Sequence, residues 1–202
     1  MTQVMTPSEV KVATAQQIDK AVANYRAMLE KHASGFQAAP LQTVLGQSEF
    51  AKAQFELLRS RVEAMSEIII RRVKVDRSRS PQEVVDATGR KQYVDKDVLD
   101  TMPKGEGSEV DVWFIPTKRY VPVSEVPAFL AQYGLVPDPR AQVAVNEADP
   151  AFADEHPNAS QWGDNCYWTF DGWDGGRRVR VLRRDDDWND GWFLAGVPAP
   201  RK

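Results

Sequence analysis

Residues 166–198, CYWTFDGWDGGRRVRVLRRDDDWNDGWFLAGVP, restrict the fold more than any other stretch of the chain. Three strand-like segments, 166–170, 177–182 and 191–197, are separated by two stretches rich in glycine and aspartate, 171–176 and 185–190. Such residues supply left-handed backbone positions and local hydrogen bonds, so each stretch is expected to turn the chain back on itself. In the middle segment Val179 and Val181 alternate with Arg178 and Arg180. Alternation places the two sets on opposite faces of a strand. A three-stranded meander with one apolar face cannot bury that face alone, and needs helices from upstream.

Those helices are legible. Thr14, with Gln17 three residues on, has the spacing of a capping box, and Ile18, Val22, Tyr25 and Leu29 follow at steps of four, three and four. That is one face of a helix, ending near Gly35 and Pro40. After a connector over 35–47, Ser48 opens a second helix to about Ser66, with Phe50, Ala53, Leu57 or Leu58, Val62 and Met65 on its inner side. The period then changes. Residues 68–75 and 110–115 are β-branched and alternating, and are expected as strands. Ser80-Pro81, with Glu83 beyond, starts a short helix, and further short helices are expected after Asp95, Ser124, Asp138 and Asp149. Residues 156–165, including Trp162, are expected as a loop.

The fold class expected is therefore α+β: a mostly antiparallel sheet of about five strands with helices on one face, preceded by a pair of N-terminal helices. Residues 1–66 form a helical segment, either an arm or part of the core, and 67–202 an α+β domain ending in the meander. At 202 residues, with 42% hydrophobic and 27% charged side chains, the chain can bury a core without staples. The net charge of −3 hides an asymmetry. Residues 71–91 hold seven cations against three acids, whereas 138–174 hold eight acids against Arg140 alone. The two segments either meet in the fold or form two opposed surfaces.

One cysteine and two histidines exclude an internal disulfide and argue against a structural zinc site. Cys166, between apolar neighbours, is expected to be a buried, inert thiol. No apolar run is long enough to span a bilayer and no early stretch resembles a signal peptide, so the cytoplasm is expected and no membrane. No phosphate loop, dinucleotide fingerprint or hydrolase motif is present, and no cofactor is expected. Asp185, Asp187 and Asn189 alternate like part of a calcium loop, but the sixth and twelfth places hold Asp190 and Gly196, where glycine and glutamate are needed. Arg90 with Tyr93, or Arg119 with Tyr120, has the chemistry of an anion contact.

Five of the six tryptophans crowd into 162–192. Most suit a core, but Trp173 and Trp188 lie among aspartates and glycines and are expected to be exposed platforms. Arg72 and Lys74, and Arg178 and Arg180, are alternate cations on two strands. The sequence therefore points to a non-catalytic protein-protein interaction or assembly protein. It would use its N-terminal helices and its Trp/Asp-rich C-terminal surface, with a protein partner or a second copy favoured. The binding residues would be Trp173, Trp188, Arg72, Lys74, Arg178 and Arg180, with no metal site. One alternative is a small hydrolase or cation-dependent enzyme with two or more of Asp164, Asp171, Asp187 and Asp190 in a pocket. The other is a nucleic-acid-binding protein using the basic stripes at 71–79 and 177–184, if their cations share one exposed face.

Overall fold

The computed structural model describes residues 13–163 and 165–200, with only the backbone for 63–66. Met65 and Asp164, named above, thus lie outside the described side chains. The chain divides into two compact units, Met1–Ser66 and Glu67–Lys202.

The first unit is helical. Helix α1 (Ala15–Lys31) starts at Thr14, whose hydroxyl accepts from the Gln17 amide while Gln17 reaches back to the Thr14 amide. A 3-10 turn (Ala33–Gly35) leads to α2 (Ala38–Leu45), and α3 spans Ser48–Ser66. The connector expected over 35–47 thus holds a helix of its own. Pro40 does not stop a helix; it occupies the third residue of α2. The first turn tolerates proline there because its missing N–H has no intrahelical acceptor. No described side chain of α1, α2 or α3 is buried.

The second unit runs β1 (Ile69–Lys74), α4 (Pro81–Ala87), β2 (Lys91–Val94), α5 (Lys96–Leu99), β3 (Glu109–Pro116), α6 (Val126–Ala131), β4 (Leu135–Val136), α7 (Pro139–Ala148), α8 (Phe152–Glu155), β5 (Asn158–Trp162), β6 (Cys166–Trp173), β7 (Gly176–Arg183) and β8 (Phe193–Pro198). The α+β class expected from the sequence fits, but the sheet has eight strands rather than about five and is mixed. Its path is β1-β3-β8-β5-β6-β7-β2, with β4 paired to β8. The β5–β8 and β2–β7 pairs are parallel, and the others antiparallel.

Helices also cover both faces rather than one. On the first face, α4 and α5 pack Val84, Val85, Val98 and Leu99 on Trp168, Phe170, Val179 and Val181. The same face continues under α7, where Ala141, Ala144 and Val145 meet Val112, Phe114 and Ala195. On the second face, α6 sets Val126, Phe129 and Leu130 over Ile115, Ala159 and Leu194. Phe114 and Ile115 fall into different clusters, as neighbours on a strand must.

Two features explain this architecture. First, β5 replaces the expected loop. Its sequence, NASQW, is polar, yet all five residues are buried. It lies centrally between β8 and β6, and side chains of α7 reach its first residue. The Asn158 Oδ1 accepts from Gln142 at 2.7 Å and from Asn146 at 3.0 Å, both on α7. Such amide networks remove most of the cost of burying polar groups. Secondly, the two oppositely charged segments meet. The Arg77 guanidinium forks onto Asp138 at 2.8 and 2.7 Å, and Arg79 pairs with Glu147 at 3.1 Å.

Candidate recognition face

The β6–β7 hairpin turns on Asp174 (φ 52°) and Gly175 (φ 72°) alone. Two consecutive positive φ values make a type I′ turn, whose twist matches that of the strands. The turn expected over 171–176 is therefore shorter, and both strands gain length. Trp173 pairs with Gly176, Asp171 with Arg178, Thr169 with Arg180 and Tyr167 with Leu182. Strand β2 adds Lys91 beside Arg178 and Tyr93 beside Arg180. With Trp168, Phe170, Val179 and Val181 on the first face, these residues belong to the second face, beyond the area under α6.

Asp171 is the centre of this region. It is buried, and both arginines bind it. Arg178 donates from Nε and Nη2, the latter at 2.9 Å, and Arg180 Nη2 donates at 2.8 Å to the Oδ2 atom. Arg180 Nε also donates to Thr169 Oγ1 at 3.3 Å. The hydrogen bond to Asp171 holds the Arg178 guanidinium above its ordinary pKa. These bonds leave the Nη1 groups of both arginines uncommitted. Aromatic rings surround the ion triad. The Arg178 guanidinium lies 4.8 Å from the centre of the Trp173 ring, Arg180 6.0 Å from Trp192, and the Lys91 ammonium 5.3 Å from Tyr93. Each is a cation–π contact. Trp173 is 68% exposed and Tyr93 44%, so both keep open ring surface. Tyr167 below is buried, and burial pushes its phenol above the ordinary value.

The six expected binding residues thus separate into three places. Trp173, Arg178 and Arg180 come together. Trp188 is 0% exposed and is a core residue, not an exposed platform. Its backbone bridges Val121 in both directions, at 2.8 and 2.9 Å, and its indole N–H donates to Gln161 Oε1 at 3.0 Å. Arg72 and Lys74 are exposed on the same sheet face, but β1 is five strand steps from β7, on the order of 24 Å, with α6 between. There Arg72 pairs with Glu109 at 3.2 Å, a bond that raises its pKa.

Sequence reading did not bring in Lys91 and Tyr93 as members of this face. Their alternation with Gln92 and Val94 was the available signal, but their place depends on pairing with residues far along the chain. The Arg90 and Tyr93 pairing is not formed. Arg90 is buried on the first face, 5.2 Å from the Phe170 ring, and burial lowers its pKa.

Asp185, Asp186, Asp187 and Asp190 are exposed. Their loop is held by Arg184, which donates to the Asp186 and Asp187 carbonyls at 3.0 and 2.6 Å. Among the described residues no group of three or more His, Cys, Asp or Glu is placed to hold a metal ion. Among the described residues, Asp171, Asp187 and Asp190 line neither of two surface grooves of about 350 Å³. Cys166 is buried at the second groove, with the Thr101 hydroxyl 3.8 Å from its sulfur. No described helix is long and apolar enough to cross a membrane.

Compared with known proteins, the chain matches no family model, no curated protein and no solved structure.

Proposed function

We propose that this chain is a non-catalytic assembly protein whose N-terminal helices associate with those of a second copy. The observation that carries this reading is the apolar surface of the first unit. Ile18, Val22, Tyr25, Met28 and Leu29 of α1, and Phe55, Leu57, Leu58 and Val62 of α3, are all exposed, as are Phe36, Val44 and Leu45. At roughly 80–100 Å² of accessible side chain each, such a set presents on the order of 1,000 Å². A standard stable interface needs about 800 Å² per partner, and a soluble monomer rarely shows so much.

The spacing supports a like partner. Ile18, Val22, Tyr25 and Leu29 follow steps of four, three and four, and Phe55, Leu58 and Val62 steps of three and four. An average near 3.5 residues is the seam of helices that pack side by side with knobs in holes. Another copy offers the same seam, and symmetric self-association is the commonest outcome for such a surface. Of the acids named for the hydrolase alternative, the three that are described, Asp171, Asp187 and Asp190, line neither groove.

The test is light scattering on the full chain over a dilution series. The expected result is a dimer or larger assembly. The variant V22S/L29S/L58S/V62S should be a monomer with an unchanged tryptophan-detected unfolding transition, since all six tryptophans lie in the second unit. A wild-type monomer at every concentration, or a variant whose second unit no longer folds, would refute the proposal.

A further inference from the structure

We infer that the open end of the second sheet face, built on Asp171, Arg178, Arg180, Lys91, Trp173 and Tyr93, binds single-stranded nucleic acid. This inference is independent of self-association, because it concerns a different unit and different chemistry.

Three observations combine. The first is charge. Two arginines and Lys91 stand against the carboxylate of Asp171, leaving two positive charges on a small area of sheet. Asp171 spreads and fixes the guanidinium planes, and both Nη1 groups remain to meet a phosphate or a base edge. The second is the presence of open rings. Trp173 and Tyr93 are the two largely exposed aromatics of the region, each with a cation over one ring surface. A base stacks on such a ring whatever its sequence. The third is spacing. Strands β2 and β6 flank β7, and Tyr93 and Trp173 stand opposite Arg180 and Gly176 on it, four residues apart. The rings are therefore on the order of 10 Å apart across the strands and 13 Å along them, about 16 Å in all. They can hold bases of different nucleotides, with the arginines between them on the path of the backbone.

This combination selects one class of ligand. An acidic peptide would meet the cations but leave the rings without planar partners. A duplex hides its base faces in its own stack, so the rings would add nothing. A single strand, DNA or RNA, offers phosphates and free base faces together. Arg72 and Lys74 are excluded from the site by distance.

The test is fluorescence titration of the full chain with labelled oligothymidylate and oligouridylate of about twelve nucleotides. A duplex of the same length and polyglutamate serve as comparisons. Binding is expected at low salt, with quenching of tryptophan emission. With two or three phosphates neutralised, log affinity should fall against log salt with a slope of roughly −1.4 to −2. The exposed-ring variants Trp173→Ala and Tyr93→Ala should each weaken binding roughly tenfold while leaving the unfolding transition in place. Lys91→Glu should weaken it and lower the salt slope. Arg178 and Arg180 are not the first choice, since their loss leaves Asp171 buried and unpaired. No binding at low salt would overturn the inference. So would equal affinity for the duplex or polyglutamate, or ring variants that bind like the wild type.

Discussion

Asp138 joins the two oppositely charged segments, and replacing it gives a sharp test of how they hold the second unit together. Its carboxylate is almost entirely buried, and Arg77 opposite keeps 17% side-chain exposure. Asp138 serves two functions. Its Oδ1 accepts from the Ala141 amide at 3.0 Å and so caps α7, while both oxygens receive Arg77. Losing a cap costs about 1 kcal/mol. Breaking a buried ion pair from one side costs about 3–5 kcal/mol, because the remaining charge loses its partner. Here the second term is smaller. Arg77 keeps three carbonyl acceptors, those of Lys104 at 2.6 Å, Glu106 at 2.9 Å and Gly107 at 2.9 Å, and retains some contact with water. About 2 kcal/mol for the pair is a fair discount, giving about 3 kcal/mol for Asp138→Ala. Asp138→Asn keeps an acceptor for the cap and should lose only about 2 kcal/mol. The assay is urea unfolding followed by tryptophan emission, which reports the second unit alone. The reasoning is refuted if Asp138→Ala shifts stability by less than about 1 kcal/mol, or if the asparagine variant is as damaging as alanine.

Further outcomes follow from other positions. Gly105→Ala should cost more than about 2 kcal/mol in the same assay: φ is +67°, and a Cβ would stand 2.4 Å from Arg77 Nη1 and from Asp138 Oδ2. Trp188→Ala should cost about 3–5 kcal/mol and Trp173→Ala less than about 0.5 kcal/mol, because one ring is enclosed and the other is not. In an alkaline absorbance titration, Tyr133 and Tyr167 should ionise above the ordinary phenol value, since burial raises both. Their folded pKa exceeds the unfolded one, so the stability they contribute is complete below about pH 10 and is lost as pH rises above it. A titration in which all five tyrosines ionise together would contradict this. Replacing Asp171, Arg178 and Arg180 together by threonine should leave stability within about 1 kcal/mol of the wild type or raise it, and abolish oligonucleotide binding. A large loss of stability would make the triad structural.

Local signals were legible where one residue decides a local event. Thr14, Ser80 and Asp138 each cap the helix expected after them. Alternation revealed β1, β3 and β7. Elements whose stability comes from distant partners were not legible. Strand β5 is polar, with Asn158 bonded from α7 and Gln161 donating to the Val123 carbonyl and accepting from Trp188, so its composition resembles that of a loop. Strand β2 is four residues long and pairs in parallel with residues far along the chain, which no local pattern announces. Helix α2 was hidden for the opposite reason: Pro40 has a strong local meaning, but that meaning depends on whether it enters a helix or leaves one. The same division applies to the recognition face. The alternation of Arg178 and Arg180 is visible in the sequence, but Asp171 lay in an expected turn, and only the hairpin register places it between them. Trp188 is the clearest case. Aspartate and asparagine around it indicate solvent, whereas its backbone bridge to Val121 draws the ring into the core beneath α6.

The distribution of cover over the sheet bears on the oligonucleotide inference. The first face is covered along most of its length by α4, α5, α7 and α8. On the second face apolar side chains extend under α6 as far as Tyr167 and Leu182, and helix cover is needed only that far. Beyond them β6, β7 and β2 present threonine, aspartate, two arginines, lysine and tyrosine. Simple β-formers would complete that part of the sheet at lower desolvation cost, since a buried carboxylate between two guanidinium groups contributes little net stability. The triad does fix two guanidinium planes between two open rings, which threonine or valine could not do. An arrangement that adds little to folding but positions donors and ring faces with this regularity is better explained by a ligand than by the core.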